Sequence, residues 1–569
     1  MHLAFREGYL AIAEYLVEHG AEIDEVDGDA WTPLHHACAK GRLDVVKFME
    51  MKAPTTFAEL LPTKTNTEAT CLHLAVQCGG VELVEFILNQ FTEETCKALI
   101  NQQVEPLGTP LHISGERNVR YDSRASVNAS CYYHNFLLAK YCDPSMVELL
   151  YQRGADPLIV NADGQSALHV ASVSNRPTMV EALLNLTQSI LLEIKDDRGR
   201  TALSVTTDPE IIEQLMLAGA DVSSVDANNM NVLMIAVSHG HTHVVDCLLS
   251  KFSEPLIPIV DQVERADDRS IFLIAVQTGN VKMCSRLLEH PSIRWDTVDK
   301  QLLNAIHIAA RYNHEQLILW LCNDERRTDR LLSITSHRYS VEVTPASDTL
   351  NFPSASSMLR SYINAQNEDG KTPLHIASER GHTQCIKALL RSGADVLITN
   401  HLGQLPLHAA IQHGHGSCVK LLLLHACEKD TAEFHSVLSR RQSPLITACQ
   451  HGFADIVQLL LAEDIGTQHG VSADSDQAYN PLEIAIRDRR IETTHALLEH
   501  PHTEQWLMPV RKTHRYDHET PLREMIRYMP DCARHAFDKL ILKTNELDAF
   551  GEAFERTVYR YQHIDDYFA

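Results

Sequence analysis

The stretches Lys371-Thr372-Pro373-Leu374-His375-Ile376-Ala377 and Leu405-Pro406-Leu407-His408-Ala409-Ala410 repeat one Pro-Leu-His-x-Ala order, with His375 and His408 standing 33 residues apart. A period of that length is a whole supersecondary unit, so the chain is constrained to an array of stacked units. The unit reads in four parts. Asn367-Glu368-Asp369-Gly370 is turn chemistry, Gly supplying a positive φ at no steric cost. Thr372 predicts a helix N-cap with Pro373 at the first helical position, where its missing N–H costs nothing. Leu374, Ile376 and Ala377 give that helix a short apolar face, and Gly381 ends it. A second helix over Gln384 to Arg391 carries Ile386, Leu389 and Leu390 and stops at Ser392-Gly393. A single unit cannot bury its own apolar face, so neighbours must stack to make the core.

Two antiparallel helices and a hairpin turn at this period are similar to the ankyrin repeat, and the fold class expected is an all-α ankyrin-repeat solenoid of about fourteen units. Anchors recur at His2, Trp31 to Cys38, Cys71 to Ala75, Thr109 to His112, Ser166 to His169, Thr201 to Ser204, Asn231 to Met234, Ile271 to Leu273, Ala305 to His307, His375, His408, Ser443 to Ile446, Asn480 to Glu483 and Thr520 to Arg523. His2 occupies the place of His375 without a preceding turn or cap, which leads us to expect residues upstream. The organisation read from this pattern is N-terminal repeats over 1–324, with an insertion near 115–141 between two helices of one unit. An irregular, Ser/Thr-rich segment or degenerate repeat follows over 325–360, including Ser333, Ser336, Thr344, Ser347 and Ser354. C-terminal repeats span 361–542, and 543–569 is a capping helix or a junction to a further segment, rich in Phe554, Tyr559, Tyr561, Tyr567 and Phe568.

At 569 residues a globular chain would hold about four domains, but a solenoid core grows with each repeat and one elongated array is expected instead. Fifty basic against seventy-five acidic residues give a formal charge of −25, which argues against nucleic acid or an anionic membrane as the main partner. Fourteen cysteines without paired spacing, and no secretory signal, predict reduced thiols and a cytoplasmic location. Asn128-Ala129-Ser130 and Asn185-Leu186-Thr187 are then chance glycosylation triplets. No apolar run reaches the roughly 18 to 20 residues of a membrane helix.

The candidate chemistry is explained by repeat grammar. Gly370-Lys371-Thr372 resembles the end of a phosphate-binding loop, yet Ala365 stands where that loop requires glycine. His239-Gly240-His241-Thr242-His243 and His413-Gly414-His415 fall at inter-helix turns without companion ligands, so no metal site is expected. His35, His73, His112, His169, His307, His375 and His408 are read as hydrogen-bonding braces. Cys38, Cys78, Cys247, Cys385, Cys418 and Cys449 are read as small apolar fillers. Cys532 is the one candidate reactive thiol, since reactivity needs access and a lowered pKa. No catalytic constellation and no cofactor motif stands out, and an enzyme is not expected.

Leu497-Leu498-Glu499-His500-Pro501, Trp506 and Thr520-Pro521-Leu522-Arg523-Glu524-Met525-Ile526-Arg527-Tyr528-Met529-Pro530-Asp531-Cys532 together resemble the end of the cytosolic array in transient receptor potential channels of the ankyrin (TRPA) subfamily. Tyr559-Arg560-Tyr561-Gln562-His563 looks like the approach to that family's pre-membrane linker. The resemblance implies the cytosolic part of a homotetrameric, calcium-permeable, non-selective cation channel of the plasma membrane, attached through segments this chain does not contain. It makes Pro521, Glu524, Met525, Ile526 and Tyr528 candidates for coupling to gating. The alternative is a soluble, cytoplasmic ankyrin scaffold or adaptor that binds protein partners, with the two insertions as recognition loops.

Overall fold

The computed structural model describes residues 1–104, 108–115, 144–251, 259–260, 262–323, 355–429, 443–465, 480–507, 521–547 and 553–559. The chain divides into two compact units, Met1–Thr278 with Lys282–Trp295, and Gly279–Val281 with Asp296–Ala569.

The first unit is a stack of helix pairs. It opens with His2–Glu7 and Leu10–Glu18, continues through Pro33–Ala39 with Leu43–Lys52 and Cys71–Cys78 with Val81–Leu88, and reaches Val232–Ser238 with Thr242–Lys251. The second unit repeats the pattern from Ala305–Arg311 with Glu315–Asn323 to Pro521–Tyr528 with Pro530–Leu540. First helices pack on first helices and second on second along each stack. The core is therefore a strip of inter-repeat contacts, with Leu34, Val45, Ala75 and Val84 in one unit and Leu374, Ile386, Ala410 and Val419 in the other at 0–1 % exposure.

Local sequence sets each helix boundary. Thr372 lies in extended conformation and caps Pro373–Glu379, with proline in its first turn. In the second helix, Thr383–Arg391, Ala394 N–H returns to Leu389 O and Gly393 N–H to Leu390 O, closing the helix with Gly393 at φ +92°. Glycine is required between the helices for a further reason. A Cβ on Gly414 would come within 2.7 Å of the Phe453 ring, which belongs to the next repeat.

The insertion reading of 115–141 falls almost wholly on residues outside those described, but the stack is continuous across it. The helix Pro110–Gly115 packs on Ala167–Val173, and Pro144–Gln152 packs on Pro177–Thr187. Of 325–360, only Ala355–Ile363 is described, and it is a helix. Ser333, Ser336, Thr344, Ser347 and Ser354 lie outside the described residues. The pair starting at Ala305 stacks directly on the pair starting at Pro373, with Glu368 N–H donating to Gln301 O at 3.1 Å. Among the described residues, no unit of the array is interposed between these two pairs. Tyr362, from the added helix, is half-buried and its hydroxyl accepts from Ala305 N–H at 3.3 Å. Desolvation pushes its phenol well above the ordinary value.

Two expectations need correction. Some repeats carry a third helix that the periodic pattern did not announce: Pro54–Leu60, Glu93–Ile100 and Thr503–Trp506 as well as Ala355–Ile363. The described residues beyond Leu540 do not form a capping helix. Ile541–Leu547 and Ala553–Tyr559 pair as an antiparallel hairpin with Ile541 opposite Tyr559. The run Glu555-Arg556-Thr557-Val558-Tyr559 carries β-branched and aromatic residues that favour a pleated strand over a helix, so the all-helical description holds for the repeats and not for this tail.

The turn glycines give a quantitative test. Gly393→Ala meets no atom within 4 Å and carries only the left-handed backbone cost, about 1–2 kcal/mol. Gly414→Ala adds a forced contact with Phe453 and should cost at least about 2 kcal/mol. Urea unfolding of both variants checks the order; equal losses would remove the packing contribution.

Candidate protein-interaction surface

Each hairpin turn is built around one side chain. Asp196 Oδ1 accepts from Arg198 N–H at 3.0 Å and Arg200 N–H at 2.8 Å, and Asp226, Asp299, Asn367 and Asn400 close their own turns in the same way. The short Asx side chain satisfies two backbone donors that the turn leaves without partners. Burial opposes the charge on Asp196, but the Arg200 guanidinium at 2.7 Å and these backbone donors together hold its carboxyl below the usual range.

The turn tips are then tied to one another. In the first unit Asn66 N–H donates to Asp29 O, Asp197 N–H to Asp163 O, Ala227 N–H to Arg198 O and Arg265 N–H to Asn228 O, at 2.8–3.1 Å. In the second unit His401 N–H donates to Asp369 O at 3.0 Å. Backbone groups are consumed by this rail, so the side chains are what the tips offer to solvent. In the first unit those exposed side chains include Asp29, Glu68, Asp163, Asp197 and Asp268, against Lys64, Arg198 and Arg265.

The recurrent histidines clamp repeat to repeat. In His375, Nδ1 accepts from Thr372 N–H at 3.1 Å, which leaves Nε2 as the protonated nitrogen; it donates to Gln404 O of the next unit at 3.0 Å. His73, His112, His169 and His307 do the same, toward Gln102, Gln165, Arg200 and Lys371. Burial lowers the pKa of His73, His112, His307 and His375 to about 4, the acceptor carbonyl opposing it only in part. Where histidine is missing, Glu483 takes its place, accepting from Asn480 N–H at 2.8 Å.

The remaining candidates resolve individually. Lys371 Nζ pairs with Glu379 at 2.8 Å and Gly370 sits at φ +75° in the hairpin, so this trio is a turn, ion pair and cap. The His239 and His241 rings stack at 5.8 Å and those of His413 and His415 at 6.3 Å. His415 Nε2 donates back to Glu379 O of the preceding unit at 3.1 Å. Among the described residues, no three or more His, Cys, Asp or Glu side chains gather as a metal site. Cys38, Cys247, Cys385, Cys418 and Cys449 are buried; desolvation pushes the Cys385 thiol up to about 12 and Cys418 to about 11.

Of the residues singled out at the end of the array, Pro521 and Met525 are core, Glu524 is half-buried, and Ile526 and Tyr528 are 48 % and 46 % exposed. The Arg489 guanidinium lies 4.9 Å from the Tyr528 ring centroid. Cys532 departs from expectation: it is fully buried, its Sγ faces Ile491 O at 3.8 Å, and desolvation, with Asp531 beside it, raises its pKa. Neither condition for a reactive thiol is met. The rail of turn tips and the third helices were missed by sequence reading; the Asx residue five places before caps such as Thr201, Asn304 and Thr372 was the available signal for the rail.

This construction, with paired helices, Asx-closed turns and a His clamp at fixed period, defines an ankyrin-type array. The family model for ankyrin repeats in three copies matches residues 1–97, 136–207, 351–433 and 429–506, and one for many copies matches 272–321. The chain belongs to the ankyrin-repeat family. It is similar to the B-cell lymphoma 3 protein homolog of Mus musculus, 26 % identical over 206 residues, 35 % of this chain and 40 % of that protein. It is similar also to the Nuclear factor NF-kappa-B p105 subunit of Mus musculus, 25 % identical over 250 residues, 42 % of this chain and 22 % of that one. Alpha-latroinsectotoxin-Lt1a of Latrodectus tredecimguttatus is 23 % identical over 334 residues, 56 % of this chain and 21 % of the toxin. The chain thus spans less than half the length of each, and none of the three is a transient receptor potential channel.

The clamps predict acid lability with a definite sign. Their folded pKa lies below the ordinary value of 6.5, so the unfolded chain binds more protons as pH falls from about 6.5 to about 4, and stability drops across that window. Each such histidine contributes up to about 1.4 kcal/mol per pH unit. Urea midpoints measured at pH 7.5, 6 and 5 should fall progressively, less steeply in His375→Gln; a flat profile refutes the buried neutral clamp. Cys532 should resist iodoacetamide in the native protein and react once denatured.

Proposed function

We propose that this chain is a protein-binding scaffold that recognises its partner along the exposed turn tips of the first unit. The observation that carries this is the rail: tips held in register by backbone hydrogen bonds offer a preorganised row of side chains, and preorganisation lowers the entropic cost of binding. The excess of exposed carboxylates on those tips, Asp29, Glu68, Asp163, Asp197 and Asp268, favours a basic partner and speeds its encounter. The p105 relative, by its name a subunit of nuclear factor NF-kappa-B, supports reading such an array as an assembly module.

The second reading is the cytosolic array of a TRPA-like homotetrameric channel, located on the cytoplasmic side of the plasma membrane. It rests on the Thr520 to Cys532 phrase, and it is favoured by Ile526 and Tyr528 being uncovered on the last helix pair, where a coupling element would act. No described helix is long and apolar enough to cross a membrane, so such a channel would need membrane helices encoded beyond Ala569.

Charge reversal separates the readings. Asp163→Lys with Asp197→Lys should cut affinity capture of the partner at least tenfold while leaving the urea midpoint unchanged; undiminished capture overturns the tip reading. For the channel, replacing Ile526 and Tyr528 by alanine in a longer product should shift gating.

A further inference from the structure

Three consecutive turn tips of the second unit are Lys300-Gln301-Leu302, Glu368-Asp369-Gly370 and His401-Leu402-Gly403, each starting one residue after the Asx of its turn. Glu368 N–H donates to Gln301 O and His401 N–H to Asp369 O, at 3.1 and 3.0 Å, so the three stand side by side. These backbone groups are engaged in the rail, and recognition at the tips falls to side chains.

Leu302 holds a left-handed backbone, φ +59°, at the place that Gly199, Gly370 and Gly403 fill at their own tips. Among the described non-glycine residues with positive φ it is the one large apolar residue, and it is 51 % exposed. A leucine exposed singly is ordinary. A leucine held left-handed is not: glycine or asparagine takes this conformation readily and a bulky residue rarely does, while a side chain half in solvent returns little packing. Strain kept without a packing benefit points to a use outside the chain. On the third tip Leu402, at 81 %, is the most exposed large apolar residue among those described. Between the two leucines Glu368 and Asp369 are exposed, and the cationic or neutral Lys300 and His401 stand on the outer tips. The row therefore presents apolar, acidic and apolar groups in turn.

We propose that this row binds an extended segment of a partner protein in which two apolar residues flank a basic centre. The apolar side chains lie against Leu302 and Leu402, and the basic groups meet Glu368 and Asp369, a match of charge that fixes the segment's register. Packed helices lie about 8–10 Å apart, which sets the two leucines, on repeats separated by one other, about 20 Å from each other, the reach of about six residues of extended chain. Alternate residues of such a chain share a face. The matching order is then apolar at the first and seventh positions and basic at the third and fifth. The surface belongs to the second unit and is separate from the first-unit tips.

The probe is a fluorescein-labelled peptide, Gly-Ser-Leu-Ser-Arg-Ser-Arg-Ser-Leu-Ser-Gly, titrated by fluorescence polarisation with the 569-residue chain at physiological salt. Wild type should bind it at least about tenfold more tightly than a peptide of equal charge with both leucines replaced by serine. Leu302→Gly and Leu402→Ser should each weaken binding at least about fivefold, and Glu368→Lys with Asp369→Lys at least about tenfold. Leu302→Gly also releases the left-handed strain, so its urea midpoint should equal or exceed that of wild type; a lower midpoint means that Leu302 serves the fold and overturns the proposal. Every variant lies in the second unit, so the result stands apart from capture through Asp163 and Asp197. Absence of binding, equal affinity for the serine peptide, or affinity untouched by Leu302→Gly and Leu402→Ser overturns the proposal. So does self-association of wild type that Leu402→Ser abolishes, which gives the row to a second copy.

Discussion

Everything in this molecule depends on one repeat covering the next. A helix pair of this length has an apolar stripe on each side, and only a neighbour in register buries it. The histidine clamp enforces that register: its Nδ1 is satisfied at the cap of its own helix and its Nε2 at a carbonyl of the following unit. One side chain thus couples a local cap to a tertiary contact. Burying it neutral keeps both bonds intact near neutral pH, while a second proton would set an N–H against the N–H of the cap residue.

The same coupling explains which parts of the structure were legible in the sequence. Where Thr-Pro-Leu-His is intact, as at Thr372 and Thr32, the cap, the first helix and the clamp follow from local rules alone. At Thr201 the histidine is replaced by Ser204 and no side-chain cap bond forms, yet the helix stands because stacking supplies what the cap does not; at Asn231 the cap side chain itself accepts from Met234 N–H and donates to Ile259 O. The order Asn480 to Glu483 hides a clamp of different chemistry that periodicity still locates. The terminal hairpin was misread because it lies past the last repeat, where no period remains and strand preference decides.

The candidate surface was less legible. The Asx residues of the turns were visible as turn signals, but the bonds between successive tips join residues about thirty positions apart, and only the stacked geometry brings them together. Cys532 shows the converse. Its sequence context, after Pro530 and Asp531, made it the candidate reactive thiol, and the fold seats it against the preceding repeat. Local composition cannot report which side of a short helix is covered; the residue's place in the period can, and Cys385 on an equivalent inward position was the precedent.

The direct stacking of the pair at Ala305 on the pair at Pro373 bears on how such a chain can vary. His307 Nε2 meets Lys371 O, 64 residues on, where His375 meets Gln404 O, 29 residues on, and the two bonds join neighbouring pairs in the same way. The register of the array is therefore set by which turns meet in space and not by a fixed count of residues along the chain.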